Sequence, residues 1–397
     1  MITVDAARAR IIGQMRPTGV ESIGLAQGWG RVLAAPLLAR LTQPPADISA
    51  MDGYALRAAD GVAGAKLRVV GVAPAGHPFA GAVAPGEAVR LFTGSFVPPG
   101  ADTVLMQENA TAVDGVITLH EAARRGRHIR PMGQDFAAGD VLLGAGQRLS
   151  ARDIGLAAAA NQPWLHVHRR PVVAILATGD EISWPGEQVR PGGVVCSNAH
   201  ALAALVASLG AQPVVLPIAG DDMGAIAAGA DAARGADLLV TTGGASVGDH
   251  DLVQPALAAR GLTLDFWKIA MRPGKPLMFG RMAELPVLGL PGNPVSAYVC
   301  AVLFLRPAIE RLSGLPGDAP RLEPAILGAA LPANDAREDY VRGSLRADAR
   351  GWVVTAFPVQ DSGMLGTLAR AGALIRRQPH QPAQAAGEPV EILRLED

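Results

Sequence analysis

The segment from Asp237 to Ser296 concentrates residue types that could bind an anion and a metal ion. It holds a glycine-rich loop in DLLVTTGGASVGDHD, followed by FWKIAMRPGKPLMFG and VLGLPGNPVS. Among the 35 basic residues only Lys66, Lys268 and Lys275 are lysine, and two of these three lie in this segment. Because the chain otherwise uses arginine, we expect this lysine pair to serve a site rather than solubility.

The loop from Thr241 to Gly248 is a candidate phosphate site. Glycine amides can face an anion without an intervening Cβ, and a helix predicted soon after Asp251 would add its positive end. The loop is neither a Walker A motif nor GxGxxG, so a set of tight turns is the alternative interpretation. The residues predicted to bind here are Thr242, Gly243, Gly244, Ser246 and Gly248.

Carboxylates follow three of the predicted strands, at an edge where parallel strands present their ligand-binding loops. Carboxylates that lie close together must be neutralised, and Mg²⁺, which binds carboxylate and phosphate oxygens together, commonly does this. From the shared edge we expect Glu181, Asp221 and Asp251 to position Mg²⁺. The alternative is that some of these acids are helix N-caps or solvated loop residues. The six acids are Asp180, Glu181, Asp221, Asp222, Asp249 and Asp251.

Basic residues and prolines fill the rest of the segment. In WKIAMRPGK, Lys268 and Lys275 flank Arg272, and the turn at Pro273 and Gly274 could direct the three cations to one oxyanion. Surface charge is the alternative. In LPGNP, the residues Pro291, Gly292 and Pro294 form a stiff loop whose Asn293 is placed to cap the next helix.

The elements that must position these residues change in character along the chain. Helices are predicted at Val4 to Met15 and Ser22 to Leu41, before the breaker Gln43-Pro44-Pro45. Short apolar runs with turns then predict a β-rich segment over 46–142, with a hairpin at Asp114-Gly115. The stretch from Leu142 to Leu165 reads as helical and is expected to return to pack on residues 1–45.

Residues 171–314 alternate between strand and helix. Near-continuous apolar strands with helical crossovers predict a doubly wound, mostly parallel sheet. Asn198 is a predicted N-cap for the helix that ends at Leu209. Short strands return in residues 315–397, which read as a β-barrel-like domain. The predicted fold class is therefore multidomain, combining α/β and β domains.

Composition excludes several functional classes. A formal net charge of -1 provides no global field for nucleic acid or an anionic membrane. The cysteines, Cys196 and Cys300, have no metal-ligand spacing, and the apolar stretch from Val295 to Leu305 is too short to span a bilayer. We therefore expect a cytoplasmic protein without nucleic-acid or membrane partners. No GxSxG elbow supports a Ser-His-Asp hydrolase, and TGDEIS after the first strand disfavours a nicotinamide dehydrogenase.

Eight motifs together resemble the molybdopterin molybdenumtransferase family, MoeA, which includes the gephyrin E domain. They are MDGYA, TGSFVPPGADTV, GQDF, LATGDEI, TTGGASVGDHD, FWKIAMRPGKP, LPGNPVSA and SGMLGTLA, in the family's order. The central segment also resembles the MogA and MoaB proteins. The resemblance implies an elongated homodimer in which each chain has four domains. These are a discontinuous helical linker and dimerisation domain (1–45 with 143–170), an inserted β-rich domain (46–142), a molybdopterin-binding α/β domain (171–314) and a C-terminal β-barrel-like domain (315–397).

The resemblance also implies an activity. Adenylylated molybdopterin would be bound, molybdate inserted at its dithiolene sulfurs, and the phosphoanhydride hydrolysed with Mg²⁺ to release AMP and molybdenum cofactor. The expected partners are a separate MogA-like adenylyltransferase and molybdoenzyme chaperones. A binding or scaffold protein that retains the fold without catalysis is the alternative.

Functional residues carry over from the family by motif. Two positions depart from its pattern: Arg272 stands where lysine is frequent, and Gly366 stands where a serine is frequent. From composition alone, the N-terminal motifs are predicted to be turns. The resemblance implies instead that they line a cleft shared between two chains. The residues that match family functional positions are Asp52, Thr93, Asp135, Glu181, Asp221, Asp251, Lys268, Arg272, Lys275, Pro291, Pro294, Arg342 and Ser362.

Overall fold

The computed structural model describes residues 1–244, 252–349 and 351–395. Within these ranges no helix combines the length and apolar character needed to cross a membrane. The first 45 residues contain one helix and two strands: α1 (Val4–Gln14), β1 (Val20–Gly24) and β2 (Leu37–Leu38). The predicted helix from Ser22 to Leu41 is wrong, because this stretch forms β1, one short 3₁₀ turn (Leu25–Gln27) and β2.

The next segment is built almost entirely of strands, as predicted. A six-stranded sheet in the order β7-β4-β6-β5-β9-β8 forms its core, and Asp114 and Gly115 make the expected tight turn with φ of 47° and 76°. Its strands are β3 (Ile48–Ser49), β4 (Gly53–Leu56), β5 (Lys66–Ala73), β6 (Glu87–Leu91), β7 (Thr103–Met106), β8 (Ala110–Val113), β9 (Val116–Leu119) and β10 (Ile129–Arg130).

The chain then returns to its beginning through β11 (Val141–Leu143), α2 (Ala151–Ala159) and β12 (Trp164–His168). β12 pairs antiparallel with β1, and β11 pairs with β2. The predicted helix from Leu142 to Leu165 is therefore only partly confirmed, since strands occupy both its ends. Pairing of the two distant segments places β3 to β10 in an insertion between them, while the exact domain boundaries stay a prediction.

A mixed sheet in the order β16-β13-β17-β21-β20-β18 forms the centre of the molecule. The first four of these strands are parallel, and β20 pairs antiparallel with both β21 and β18. The elements are β13 (Val172–Ala177), β14 (Ile182–Ser183), β15 (Val194–Val195), α3 (Asn198–Ser208), β16 (Gln212–Val215), α4 (Met223–Ala232), β17 (Leu238–Thr242), α5 (Val253–Ala259), β18 (Leu262–Trp267), β19 (Met271–Arg272), β20 (Met278–Met282), β21 (Leu285–Leu290), α6 (Pro294–Cys300) and, after a π-helical turn at Ala301–Leu305, α7 (Arg306–Leu312).

Helices cover both faces of the central sheet, which confirms the doubly wound prediction. Ile175 and Leu288 point into a core shared with α1, α3, α6 and α7, whereas Leu176 and Leu239 point to α4 and α5 on the other face. Continuous apolar strands are required because both faces are buried. Although α1 belongs to the first 45 residues, it packs against this central core.

The C-terminal strands close into a ring. β23 pairs with both β24 and β25, and the circuit is completed through β22 and β26. The short strand β19 of the central region is added beside β23. The elements are β22 (Glu323–Leu327), β23 (Glu338–Asp348), β24 (Gly351–Ala356), α8 (Leu365–Leu368), β25 (Ala373–Arg377) and β26 (Pro389–Arg394).

Candidate functional site

A cavity of about 680 Å³ lies at the carboxyl edge of the central sheet. Its walls come from the loops after β13, β17 and β21, from the start of α3, and from the segment before α8 in the C-terminal region. We call it the carboxyl-edge cavity. Its lining residues include Thr178, Glu181, Cys196, Asn198, Thr242, Gly243, Gly244, Pro276, Pro291, Gly292, Asn293, Pro294, Gly363 and Leu365.

Glu181 is the one carboxylate among the described residues that line this cavity. Gly179 has a φ of 140°, a backbone conformation that favours glycine, and the Glu181 carboxylate lies close above it, 2.5 Å from where a Cβ would be. Asp180 and Asp221 instead bond each other's backbone, with the Asp221 amide donating to Asp180 Oδ1 at 3.0 Å. Asp222 caps α4 by accepting from the Ala225 amide. The alternative interpretation as a helix cap is thus correct for Asp222.

Whether the acidic residues at this edge could bind Mg²⁺ depends on the number and kind of oxygen ligands that they offer. The described residues contain no group of three or more His, Cys, Asp or Glu side chains that could hold a metal. Asp249 and Asp251 lie outside these residues. Mg²⁺ normally takes only one or two carboxylates and completes its shell with substrate phosphate and water. The exposed Glu181, with Asp221 on the neighbouring strand end, fits that pattern.

The beginning of the glycine-rich loop lines the cavity with Thr242, Gly243 and Gly244, whose binding to substrate stays a prediction. Thr242 is buried, and Gly243 adopts a φ of 99°, where a Cβ would lie 2.3 Å from the Thr178 carbonyl oxygen. The backbone at Gly243 can therefore reach this position only without a side chain. The remaining predicted residues of the loop, Ser246 and Gly248, lie outside the described residues.

The proline loop at Pro291 to Pro294 is tied to two other parts of the molecule. Asn198 Nδ2 donates to Thr242 Oγ1 at 2.8 Å and to the Gly292 carbonyl oxygen at 2.7 Å. Asn293 Nδ2 donates to Ser362 Oγ at 3.0 Å. Neither asparagine side chain caps a helix as predicted: Ser197 precedes α3, and Asn293 precedes α6 without a side-chain cap bond. Both side chains instead join loops.

Arg342 supports the loop that carries Ser362. Its side chain is buried, and its guanidinium donates to the carbonyl oxygens of Asp361 at 2.9 Å and Met364 at 3.3 Å. Burial lowers the pKa of Arg342, partly offset by the charge of Asp361. The guanidinium thus fixes the backbone around Ser362, and its predicted contact with substrate stays a prediction.

The three expected cations are not equivalent. The Arg272 guanidinium donates to Asp339 and, at 3.1 Å, to Asp335. The hydrogen bond to Asp339 is the main cause of a raised Arg272 pKa. Lys268 has an unusual φ of 83°, and its Nζ lies 4.6 Å from the centre of the Trp267 ring. Lys275 is exposed beside the cavity-lining Pro276. Convergence of all three cations on one oxyanion is not seen.

The N-terminal candidates form a separate cluster. The Thr93 amide and hydroxyl both donate to Asp52 Oδ1, at 2.8 and 2.9 Å. Both hydrogen bonds lower the pKa of Asp52, and the bond from the Thr93 amide contributes more than the bond from its hydroxyl. Asp135 is exposed, and its amide donates to the Gln43 carbonyl oxygen. None of the three is among the residues that line the carboxyl-edge cavity of the same chain.

Sequence reasoning missed two polar side chains of the cavity. Asn198 was expected only to cap a helix, although it joins two cavity walls. Thr178 has a buried hydroxyl without a hydrogen-bond partner in the described part of the chain. Thr178 directly follows β13, and the rule that sites collect at strand carboxyl ends places it at this edge, although it was not predicted to bind.

The fold and cavity together define a multidomain protein built around a ligand-binding α/β domain. Family models match almost the whole chain: the MoeA N-terminal region (domain I and II) over residues 2–161, the "probable molybdopterin binding domain" over 174–311, and the MoeA C-terminal region (domain IV) over 324–395. The first and last matches cover the inserted and C-terminal β regions.

Curated relatives agree with these matches. The chain is 36% identical to a molybdopterin molybdenumtransferase of Nostoc, over 94% of this chain and 88% of the relative. It is 35% identical to molybdopterin molybdenumtransferase 2 of Mycobacterium tuberculosis, with full coverage of both chains. A crystal structure of a molybdopterin biosynthesis MoeA protein from Pyrococcus horikoshii superposes with a TM-score of 0.88 at 26% identity, again with full coverage of both. The chain belongs to the MoeA family of molybdopterin molybdenumtransferases.

Proposed function

We propose that this protein inserts molybdate into adenylylated molybdopterin and releases AMP and molybdenum cofactor. The observation that carries the proposal is the carboxyl-edge cavity, where a glycine-rich backbone and an acidic side chain face the same space. A pyrophosphate requires backbone donors without crowding side chains, and Gly243 and Gly244 offer that kind of surface. The names of the curated relatives support the same reaction.

Each wall of the cavity has a separate task in this proposal. The backbone at Thr242 to Gly244 binds the phosphoanhydride, and the loop at Pro291 to Pro294 fixes the opposite side of the substrate. Glu181 and Asp221, with Asp251, would hold Mg²⁺, which when bound neutralises phosphate charge. Hydrolysis adds water to the AMP phosphorus and breaks the bridging P–O bond, leaving AMP and the phosphate of molybdopterin.

The oxyanion substrate needs cations of its own. Lys268 and Lys275 are the proposed molybdate ligands, because Arg272 is already neutralised by two carboxylates. The strained backbone of Lys268 supports this assignment, since a non-glycine residue at positive φ is typical of functional positions. Ser362, held by Asn293, is placed to add a hydroxyl on the C-terminal side.

Two chains are proposed to share each active cleft. Asp52, Thr93 and Asp135 do not line the cavity of their own chain, so we infer that they approach the cavity of a partner in a homodimer. Exposed apolar side chains near the paired strands β1 and β12 support an interface there, with Trp29 73% and Trp164 60% exposed. A separate adenylyltransferase supplies the substrate. The two buried free cysteines fit the reducing cytoplasm.

The proposal is tested by incubating the purified protein with adenylylated molybdopterin and Mg²⁺ and measuring the AMP that is released. We expect release to depend on added molybdate and molybdenum cofactor to appear with AMP. Omission of molybdate is the control for unassisted hydrolysis. Tight substrate binding without molybdate-dependent AMP release would reject the transferase and favour the binding or scaffold alternative.

A further inference from the structure

Asn198 occupies a junction between three elements around the carboxyl-edge cavity. It is the first residue of α3, yet its amide contacts the end of β17 and the loop after β21. Its Nδ2 uses both hydrogens, one toward Thr242 Oγ1 at 2.8 Å and one toward the Gly292 carbonyl oxygen at 2.7 Å. One side chain therefore ties the start of α3, which forms one wall of the cavity, to the adjacent ends of β17 and β21, which form the next wall.

The neighbouring groups determine which end of the Asn198 side-chain amide faces Gly292. The Gly292 carbonyl can only accept, so the amide nitrogen and not the amide oxygen must face it. Thr242 Oγ1 accepts from Asn198 and donates its own proton to the Pro291 carbonyl oxygen at 3.2 Å. Asn198, Thr242 and the proline loop thus form a directed hydrogen-bond chain that a carboxylate at position 198 would break.

The other end of the proline loop is held independently. Asn293 Nδ2 donates to Ser362 Oγ, and the Val295 amide donates to the Ser362 carbonyl oxygen at 3.1 Å. Because the loop keeps these bonds and the bond from Thr242 to Pro291, loss of the Asn198 bonds should loosen Gly292 and the start of α3 without detaching the loop. The effect should therefore be a change of cavity width.

We propose that Asn198 is a positioning residue that holds the start of α3 against Thr242 and the proline loop, and so sets the width of the carboxyl-edge cavity for the pyrophosphate-bearing substrate. This inference rests on the proposed function. Asn198 acts through Thr242 and Gly292, and it takes no part in bond making or breaking. Molybdate, assigned to the lysine side of the cleft, does not depend on this width.

The test compares Asn198→Asp with Gln162→Glu. Gln162 is equally half-buried, and its Nε2 donates to the Leu38 carbonyl oxygen at 2.7 Å, far from the cavity walls. Both changes replace an amide donor by an acid of the same size. We expect Asn198→Asp to raise the KM for adenylylated molybdopterin about tenfold, the scale of losing a hydrogen bond and leaving its acceptor unpaired. The KM for molybdate should stay unchanged, and Gln162→Glu should change neither KM.

A purely structural role would give a different pattern. Loss of folded protein lowers the apparent kcat and the thermal midpoint but leaves both KM values at their wild-type level. That result for Asn198→Asp would overturn the proposal. Asn198→Ala, which removes the donor without adding charge, should show the same selective rise in the KM for adenylylated molybdopterin if the role is positioning.

A second measurement separates this inference from the proposed reaction. Hydrogen–deuterium exchange in the unliganded protein should be faster for the peptide covering residues 285–300 in Asn198→Asp, and unchanged there in Gln162→Glu. Unchanged exchange in Asn198→Asp would refute the positioning role. If the wild-type protein released no AMP, the proposed function would fail, while the exchange comparison would still decide whether Asn198 positions the loop.

Discussion

The two edges of the central sheet carry cavities of similar size but opposite character. The carboxyl-edge cavity has about 680 Å³, and a second cavity of about 600 Å³ lies at the amino edge. We call the latter the amino-edge cavity. It is bounded by the ends of α1, α4 and α7 and by the turn between β20 and β21, and its lining includes Gln14, Arg16, Asp231, Arg234, Gly235, Asp237, Arg260, Arg281 and Glu284.

Charge pairing distinguishes the two edges. At the amino edge, Asp237 receives two bonds from Arg169 at 2.7 and 2.9 Å, Asp231 pairs with Arg260, and Arg281 pairs with Glu284. At the carboxyl edge, no ion pair within the described residues reaches Glu181. Cavity volume alone would not identify the site. A carboxylate held without a cation beside glycine backbone indicates a place prepared for a ligand, whereas paired charges indicate a place already satisfied.

The largest expected difference comes from removing one carboxylate at each edge. Glu181→Gln should lower kcat/KM for molybdate-dependent AMP release about a hundredfold, the scale for losing one positioned charged group at a reacting centre. Asp237→Asn should leave turnover near wild type and lower stability by about 1–2 kcal/mol through loss of the Arg169 bonds. Kinetics and thermal unfolding of both variants provide the comparison. Equal kinetic losses would show that the contrast between the edges has no functional meaning.

The next effect concerns glycine geometry. Gly243 and Gly235 both have positive φ, but a Cβ at Gly243 would meet the Thr178 carbonyl oxygen at 2.3 Å, whereas one at Gly235 meets nothing within 4 Å. Gly235→Ala should cost only the strain of the left-handed backbone, about 1–2 kcal/mol. Gly243→Ala should cost more, about 3 kcal/mol or above, because overpacking is added. Denaturant unfolding measures both variants, and equal costs would contradict the close packing of the glycine-rich loop.

The smallest effect is a difference in thiol reactivity. Cys196 lines the carboxyl-edge cavity, and burial raises its pKa, slightly offset by a backbone hydrogen bond from Ala199. The thiolate is the reactive form, so at pH 8 alkylation should be slower than for free cysteine and should accelerate only at higher pH. Bound substrate should slow it further. Mass spectrometry of iodoacetamide labelling checks this, with the fully buried Cys300 as the unreactive control. Substrate-independent labelling of Cys196 would place the ligand elsewhere.

The central region could be predicted because its signals are local. The runs VVAILA, DLLV and VLGL became β13, β17 and β21, and the polar residues after each of them line one cavity. A strand buried on both faces needs an apolar run, and its end determines where the next residues point. Glu181, Gly243 and Gly292 were found by that rule without any long-range information.

The errors arose where distant partners decide the structure. Ile23 and Leu33 lie within the helix predicted from Ser22 to Leu41, but Ile23 pairs with Leu165 and Leu33 with Val167, more than a hundred residues along the chain. The contact of Arg272 with an oxyanion stays a prediction, whereas its ion pair with Asp339 of the C-terminal ring was not foreseen. Local propensity is a weak guide when tertiary pairing buries the same side chains differently. Such partners cannot be read from neighbouring sequence.

The strand β19 has a consequence for how the molecule can be divided. Because β19 lies beside β23 and the Glu338 amide donates to the Ala270 carbonyl oxygen, the central region contributes a strand to the C-terminal sheet. A fragment beginning at residue 315 would lack this strand and expose an unpaired edge, which is a template for aggregation. The two regions are therefore best expressed and refolded together, and a hinge motion between them would first have to break this shared edge.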